Sequence, residues 1–392
     1  MTYTKPTLIN SIKEVTGTVE PHLQQQLGRS WLLWFKESNR YTILESGLKK
    51  VLDRFLESRN EEAFYARMHQ EEGVEQLDLK VLYQDLTAFL SAAQEAPEKE
   101  IADAPAAAFN PDYCTRSEGY TMNGVSFRVH YQNEETLDLI HHIFAHYSEG
   151  SATQPQTAFW LYREGGFLYL FQDSVLVQAV NEQMDHYIRG KFLFRVISLV
   201  HGLSESDWIC TLHASTVVSN ESAIMLTGQS GRGKSTLTTL LVSGGFELLA
   251  DDITPLHAGS LELFYNPSAV SIKKGAFPLV GQHFDTFESC PEVFINAFKG
   301  TVKYLPLPPP ERLHYPCKAM VLVNYQEGAE AQLRPVEPSE VLQDLIPDSW
   351  VSPKPDHARA FMKWLDGLPF YQLTYSSPEG GIEAIRSLTA QP

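Results

Sequence analysis

Residues 223–252 read AIMLTGQSGRGKSTLTTLLVSGGFELLADD and carry the clearest indication of the fold. The segment Gly228–Ser235 matches G-x-x-x-x-G-K-[ST], the pattern of a phosphate-binding loop. The apolar run before the loop predicts a strand. Apolar residues at helical spacing after it (Leu237, Leu240 and Leu241) predict a helix that ends at Gly244. This context favours a true strand–loop–helix unit over a chance match.

The residue types in this loop suit the phosphate groups of a nucleotide. Glycines let backbone N–H groups close around phosphate oxygens at the N-terminus of a helix. Lys234 would reach the β- and γ-phosphates, and the Ser235 hydroxyl would ligate Mg²⁺. We therefore predict ATP and Mg²⁺ as cofactors. The predicted nucleotide-binding residues are Gly228, Gln229, Ser230, Gly231, Arg232, Gly233, Lys234, Ser235 and Thr236.

Two adjacent aspartates, Asp251 and Asp252, follow the strand predicted at 246–250. Strand, loop, helix and strand form a βαβ unit, so the two strands should run parallel and end at one edge of a sheet. Both carboxylates would then lie beside the loop and its metal. One would hold Mg²⁺, directly or through water, and the other would accept a hydroxyl proton during phosphoryl transfer. An Asx turn at the strand end is the alternative interpretation.

A histidine precedes the loop at a fixed distance, because His213 lies 21 residues before Lys234. Alone, it is typical of a core or strand-end histidine. The run from Leu212 and His213 through the loop to Asp252, however, resembles the HPr kinase/phosphorylase family. That family has a His ahead of the loop and an Asp pair behind it at these intervals. It shares its phosphate-loop fold with phosphoenolpyruvate carboxykinase and phosphorylates a serine of a carrier protein.

The resemblance implies an α/β fold with a P-loop catalytic domain, and it implies roles for five residues. Lys234 would hold the phosphates, while Ser235 and Asp251 would hold the metal. Asp252, or its neighbour Asp251, would be the catalytic base, and His213 would support it.

Some residues downstream depart from the family pattern or match it loosely. The run YNPSAVSIKKG at 265–275 has no counterpart of the family's metal-binding Glu, which favours a divergent branch with another substrate and leaves reversal by phosphorolysis open. Lys273 and Lys274 either touch phosphate or substrate or form a solvated basic pair. Arg312 is a loose match to the family's catalytic arginine.

The remaining sequence predicts four regions. Residues 1–92 predict a small α+β domain, a β-hairpin at Trp31–Phe35 and Arg40–Leu44 followed by three helices. Residues 93–112, rich in Ala, Pro and acid, predict a linker. Residues 113–204 predict a mainly β accessory part, and 205–392 the P-loop kinase core. The first region resembles PqqD-like domains, which implies recognition of a peptide by strand addition; a packing or oligomer-forming role is the alternative.

Composition excludes several classes of protein. The 392 residues include 48 acidic and 31 basic ones, a formal charge of −17, which argues against binding to nucleic acid or to anionic membranes. We see no signal peptide and no apolar run near 18 residues, so we expect a cytoplasmic protein. The widely spaced cysteines argue against a zinc site or a disulfide scaffold. They are Cys114, Cys210, Cys290 and Cys317.

The sequence thus predicts an ATP- and Mg²⁺-dependent kinase that phosphorylates a hydroxyl, with Ser of a peptide or small protein as the expected acceptor. Two alternatives remain open. One is a kinase for a small hydroxylated metabolite. The other is a nucleotide-binding switch without phosphoryl transfer, in which the Asp pair only orders Mg²⁺. A homo-oligomer is compatible with each of them.

Overall fold

The computed structural model describes residues 20–72, 76–95, 108–150, 154–296 and 299–389. Within these ranges the protein is mixed α/β with several sheets, as predicted. Residues 20–24 and 31–95 belong to one compact unit, and residues 25–30 with those from 108 onward belong to another. No helix in the described ranges is long and apolar enough to cross a membrane.

The N-terminal elements are a small sheet and three helices. They are β1 (Leu23–Leu27), β2 (Ser30–Phe35), β3 (Arg40–Glu45), α1 (Ser46–Glu57), α2 (Glu61–Glu72) and α3 (Gln76–Gln94). Strands β2 and β3 are the predicted hairpin, and the helices follow in the predicted order. Strand β1 was not predicted, because its sequence LQQQL lacks the apolar alternation that marks a strand. Buried side chains of β2 and β3 pack with those of all three helices in one core.

The predicted linker differs from the structure at both of its ends. Helix α3 continues through Ala93, which is buried and whose carbonyl accepts a hydrogen bond from Ser38 Oγ at 2.5 Å. The other end contains a 3₁₀ turn at Pro111–Tyr113. Residues 96–107 of this prediction lie outside the described residues.

A second sheet occupies residues 116–181 and packs on a long helix. Its elements are β4 (Arg116–Met122), β5 (Val125–Tyr131), α4 (Glu134–Asp138), α5 (His141–Phe144), β6 (Ser148–Gly150), β7 (Thr157–Glu164), β8 (Phe167–Gln172), β9 (Val175–Asn181) and α6 (Asp185–Val200). The strand order is β6-β4-β5-β7-β8-β9, and β5 and β7 are parallel. An Asn123–Gly124 turn joins β4 to β5 with positive φ at both residues, as an Asn-Gly hairpin requires.

The rest of the chain forms a large mixed sheet, a smaller sheet and five helices among the described residues. The elements are β10 (Trp208–Leu212), β11 (Ser215–Ser219), β12 (Ser222–Thr227), α7 (Lys234–Ser243), β13 (Glu247–Ala250), β14 (Thr254–His257), β15 (Glu262–Phe264), β16 (Val270–Lys273), α8 (Phe277–Gly281), β17 (Glu292–Asn296), β18 (Gly300–Leu305), β19 (His314–Tyr325), β20 (Gln332–Pro335), α9 (Pro338–Leu345), β21 (Trp350–Val351), α10 (Pro355–Asp366), β22 (Phe370–Tyr375) and α11 (Pro378–Thr389). The large sheet has the order β13-β11-β12-β19-β15-β14-β10-β21, with β22 beside β19 and β20 beside β22.

The two strands that flank α7 are parallel in direction but are not neighbours. Strand β11 lies between β12 and β13 and is antiparallel to both. The carboxyl ends of β12 and β13 therefore meet at one edge of the sheet, which brings the residues after β13 close to the loop after β12.

The predicted accessory part and the predicted core share buried side chains. Trp208 of β10 and Phe264 of β15 belong to the same hydrophobic cluster as the inner face of the second sheet and α6. Trp208 Nε1 also donates a hydrogen bond to Ser198 Oγ of α6 at 2.9 Å. Helix α6 is thus held between the two sheets, and its polar residues reach the site described next.

Candidate functional site

The loop between β12 and α7 turns sharply where it has glycine. Gly228 and Gly233 have φ of 132° and 91°, values that L side chains rarely adopt. A Cβ at Gly228 would lie 3.0 Å from the Val323 carbonyl oxygen, and one at Gly233 would lie 3.1 Å from Tyr375 Oη. Gly233 is the N-cap of α7 and supplies no side-chain cap. The first N–H groups of α7 therefore remain available to an anion, which the helix dipole also favours.

Lys234, the first residue of α7, is buried and folds back onto the loop. Its side chain is 8 % exposed, and its Nζ donates a hydrogen bond to the Gly228 carbonyl oxygen at 2.5 Å. Burial lowers the pKa of Lys234, and the carboxylates of Asp252 and Asp251 act in the opposite direction. A phosphate group beside this ammonium would stabilise its charged form.

Asp251 is a buried carboxylate held by three donors. It accepts hydrogen bonds from Ser215 Oγ at 2.5 Å, from Ser235 Oγ at 3.0 Å and from the Ser271 N–H at 3.3 Å. Burial raises the pKa of Asp251, and the neighbouring charge of Asp252 raises it further, while the three hydrogen bonds oppose both effects. The contact with Ser235 joins the end of β13 directly to the start of α7.

Asp252 has the opposite environment and an unusual backbone. Its side chain is 49 % exposed, and its φ is 66°, in the left-handed region. Its Oδ1 lies 3.3 Å from His213 Nδ1, and its Oδ2 lies 4.0 Å from Lys299 Nζ. Buried Asn266 holds this turn, since its Nδ2 donates to the Asp251 carbonyl at 3.2 Å and to the Ile253 carbonyl at 2.9 Å.

Antiparallel pairing explains why His213 meets Asp252. Strand β10 ends where β14 begins, with Leu212 opposite Thr254, so the residues that follow one strand face those that precede the other. The backbone N–H of His213 donates to Ser349 Oγ at 3.0 Å, which holds the end of β10 in place. The sequence-predicted residues His213, Lys234, Ser235, Asp251 and Asp252 are thus brought together.

Two cavities meet at these residues. One has a volume of about 590 Å³ and is lined by the loop, the start of α7 and β16. The other, about 670 Å³, lies between α6 and the large sheet. Both are lined by the same group of side chains, His213, Asp251, Asp252, Ser271 and Lys299. The carboxylates therefore face a loop cavity on one side and an α6 cavity on the other.

Of the residues predicted to bind the nucleotide, three differ in whether their side chains line the loop cavity. Thr236 lines the loop cavity. The side chains of Gln229 and Arg232 do not line it; they contact Asp344 at 3.4 Å and Asn324 at 3.3 Å. In this structure both side chains therefore lie outside the loop cavity.

The two lysines of the 265–275 run have separate environments. Lys273 Nζ donates to Ser230 Oγ at 3.1 Å, so this lysine lies across the loop. Lys274 Nζ lies 3.9 Å from a Glu292 oxygen and is exposed. Of the two alternatives for the pair, Lys273 fits contact with phosphate and Lys274 fits a solvated charge.

The structure does not bring Arg312, the loose match to the family's catalytic arginine, to this site. Its guanidinium pairs with Glu221 at 2.6 Å and lies over the Tyr315 ring. Glu221 precedes β12, whereas the loop follows it, so Arg312 lies at the far end of that strand and lines neither cavity.

Sequence reasoning missed the residues that support the aspartates. Ser215, Asn266, Ser271 and Lys299 come from separate segments and carry no spacing pattern. Asn266 has the clearest local signal, a polar residue within an apolar run, and it is fully buried. A buried amide must be hydrogen-bonded, and that requirement indicates a supporting role.

The donor set beside the loop fits a hard divalent cation. The Ser235 hydroxyl and the Asp251 carboxylate are oxygen ligands of the kind that Mg²⁺ prefers, and Mg²⁺ usually takes few protein ligands together with phosphates and water. No cluster of three or more His, Cys, Asp or Glu side chains that would hold a metal unaided occurs among the described residues. Two protein ligands would leave the other coordination positions of Mg²⁺ to water and phosphate.

Comparison with known proteins gives a likeness among solved structures. No protein-family model matches the chain, and no curated protein matches it. Among solved structures it is similar to the Hpr(Ser) kinase/phosphatase from Coxiella burnetii, with 13% identity and a TM-score of 0.22. That match covers 45% of this chain and 94% of the other. A likeness at this level establishes neither a shared fold nor a shared activity.

Proposed function

We propose that this protein is an ATP- and Mg²⁺-dependent phosphotransferase of the HPr-kinase-like type, which transfers the γ-phosphoryl group to a hydroxyl. One observation carries the proposal. The Ser235–Asp251 pair, at 3.0 Å, and the His213–Asp252 pair, at 3.3 Å, adjoin at the point where the two cavities meet. A metal ligand set and a proton acceptor are the two groups that such a reaction requires beside a phosphate-binding loop.

Phosphate binding is assigned to the loop. Its backbone N–H groups at the start of α7, the ammonium of Lys234 and that of Lys273 would neutralise the triphosphate. Ser235 and Asp251 would hold Mg²⁺, which supplies further charge neutralisation between the phosphates when it is bound. Phosphoryl transfer needs little more than positioning and charge stabilisation from these groups.

The contrasting environments of the two aspartates support a division of roles. Asp251 is buried, and its oxygens are already held by three donors, so it suits a fixed metal ligand. Asp252 is half exposed and faces the α6 cavity as well as the loop cavity, so it suits acceptance of a proton from an incoming hydroxyl. His213 Nδ1 would orient that carboxylate. The sequence predicts Ser of a peptide or small protein as the acceptor, with a small hydroxylated metabolite as the alternative.

The test is transfer of label from γ-labelled ATP to an added acceptor, in panels of Ser-containing peptides and of hydroxylated metabolites. Wild type should label at least one acceptor in a Mg²⁺-dependent way, and Lys234→Ala and Asp252→Asn should not. Arg359→Gln, an exposed change on α10, serves as the control and should label as wild type does. Mg²⁺·ATP binding or hydrolysis without any labelled acceptor would favour a nucleotide-binding switch and would contradict the proposal.

A further inference from the structure

The α6 cavity lies on the side of Asp252 away from the loop. Helix α6 and α5 form one wall, and the ends of β10, β14, β18 and β21 form the other. Its volume of about 670 Å³ lies within the range of sites for small molecules. Because the proposed function assigns the loop cavity to the nucleotide, the α6 cavity offers space for an acceptor hydroxyl beside Asp252.

Part of the wall of this cavity is aromatic. Tyr187, Phe194, Tyr304 and Trp350 line it, and the rings of Phe194 and Trp350 lie 5.1 Å apart. Aromatic walls favour an occupant with an apolar or planar part. The polar groups on the walls must then determine which end of the occupant faces Asp252.

Among the polar side chains of α6 that line the cavity, Arg189 is distinguished by its lack of a partner in the described part of the chain. It is half-buried, and among the described residues it has no ion-pair or hydrogen-bond partner. Other cations of the cavity are paired, Lys191 with Glu205 and Lys299 with Asp252. This contrast is informative in a chain with 48 acidic and 31 basic residues, where acidic partners are plentiful. A guanidinium without an acidic partner keeps its N–H donors available to an anion.

The electrostatic environment of Tyr304 indicates that Arg189 and Asp252 lie near the same part of the α6 cavity. Burial raises the pKa of Tyr304, the positive charge of Arg189 lowers it, and the negative charge of Asp252 raises it. Both charged groups therefore act on this one hydroxyl, which lines the cavity. The anionic group of an occupant would be repelled by Asp252 and attracted by Arg189. Its anionic end would therefore lie at Arg189 and its hydroxyl end at Asp252.

We infer that the α6 cavity is the acceptor site and that it selects a hydroxyl compound bearing an anionic group, which Arg189 binds while the hydroxyl lies at Asp252. A guanidinium binds carboxylate and phosphate alike through paired N–H donors. The acceptor class is thus a hydroxylated carboxylate or phosphate monoester with an apolar part. The role of the cavity as an acceptor site rests on the proposed phosphoryl transfer, whereas the anion site does not.

Binding of simple probes to the full-length protein tests the anion site without any catalytic readout. The probes are 3-phenylpropionate, phenyl phosphate and the neutral 3-phenylpropan-1-ol, and the signal is tryptophan fluorescence. Trp350→Phe identifies the part of the signal that comes from the cavity. At least one anionic probe should bind about tenfold more tightly than the alcohol, as expected for charge-assisted hydrogen bonds. The two anionic probes show whether the site prefers carboxylate or phosphate.

Arg189→Gln should remove this preference, so that acid and alcohol bind equally. The matched control is Arg359→Gln, which removes the same charge from an exposed position on α10 and should keep the preference. Equal binding of acid and alcohol to wild type, or a preference that survives in Arg189→Gln, would overturn the inference. If the preference holds and no acceptor is ever phosphorylated, the anion site stands and the proposed phosphotransferase activity fails.

Discussion

Two neighbouring aspartates have been given different environments by the fold. Asp251 is 2 % exposed and surrounded by hydroxyl and amide donors, while Asp252 has a side chain that is 49 % exposed beside His213. Environment alone can assign different roles to chemically identical carboxylates. The predictions at this scale therefore separate the two side chains.

Asp252→Asn should retain Mg²⁺·ATP binding and lose transfer, by a factor of roughly 10²–10⁴ if Asp252 is the general base. Asn is nearly isosteric and is among the residues that best tolerate the left-handed backbone found here, so the turn should keep its shape. Fluorescent-ATP binding and acceptor labelling measure the two properties. His213→Ala should have a smaller effect. Wild-type transfer by Asp252→Asn would contradict the assignment, and loss of transfer in Asp251→Asn alone would exchange the two roles.

Lys234→Ala should weaken ATP binding by about 10–100-fold, the loss expected for a hydrogen bond to a charged group. The thermal unfolding midpoint should stay near that of wild type, because Lys234 donates only to the carbonyl of its own loop. Titration with fluorescent ATP and a melting curve provide the two measurements. Unchanged ATP affinity would remove the phosphate-binding role of the loop.

The raised pKa of Asp251 predicts a pH dependence. Mg²⁺-dependent ATP affinity should fall as pH decreases, with a midpoint above the ordinary aspartate value of 3.8, because the protonated carboxyl is a poor metal ligand. Ser215→Ala removes a hydrogen bond that lowers this pKa, so it should move the midpoint to higher pH. Ser219→Ala, on the same strand, is the control. A midpoint that does not move in Ser215→Ala would show that Asp251 does not govern metal binding.

Among the secondary-structure elements, β13 and β14 are joined by a turn that the side chain of Asn266 stabilises through hydrogen bonds. Asn266→Ala would leave the Ile253 carbonyl without the Asn266 donor and the Asp251 carbonyl with only the Ile253 N–H, at a cost of about 1–3 kcal/mol in the free energy of unfolding. The same change should slow transfer more than it weakens ATP binding, because it releases Asp252 and leaves the loop intact. Denaturant unfolding and acceptor labelling measure these effects. Wild-type stability of Asn266→Ala would mean that Asn266 does not stabilise the turn.

At the scale of the whole molecule, the chain separates a unit at 20–24 and 31–95 from the part that carries the site. If the N-terminal region recruits a peptide acceptor, as its resemblance to PqqD-like domains implies, a fragment comprising 106–392 should show a higher KM for that peptide. ATP affinity should stay the same, because tethering raises only the local concentration of the acceptor.

Comparison of peptide KM and fluorescent-ATP binding for the fragment and the full chain tests this prediction. Equal peptide KM would remove the recruitment role. Loss of ATP binding as well would show that the N-terminal region supports the fold of the rest, which is the alternative role predicted for it.

The structural features that depend on contiguous residues could be predicted from the sequence alone. The strand–loop–helix unit around Gly228–Ser235 follows from glycine conformational freedom and apolar periodicity, and the residues involved are contiguous. The interval between Lys234 and Asp251 also sufficed to bring Asp251 to the loop, because β12 and β13 run in the same direction.

Strand order, the partners of Asp251 and the cavity walls could not be predicted, because they depend on contacts between distant segments. No local pattern states that β11 lies between β12 and β13, or that Ser215 and Ser271 meet at Asp251. Arg312 matched a family position loosely yet lies at the wrong end of β12, and Arg189 carried no signal until α6 packed beside the large sheet. Spacing along the chain fixes a turn, whereas the partner of a side chain is fixed only by how the elements pack.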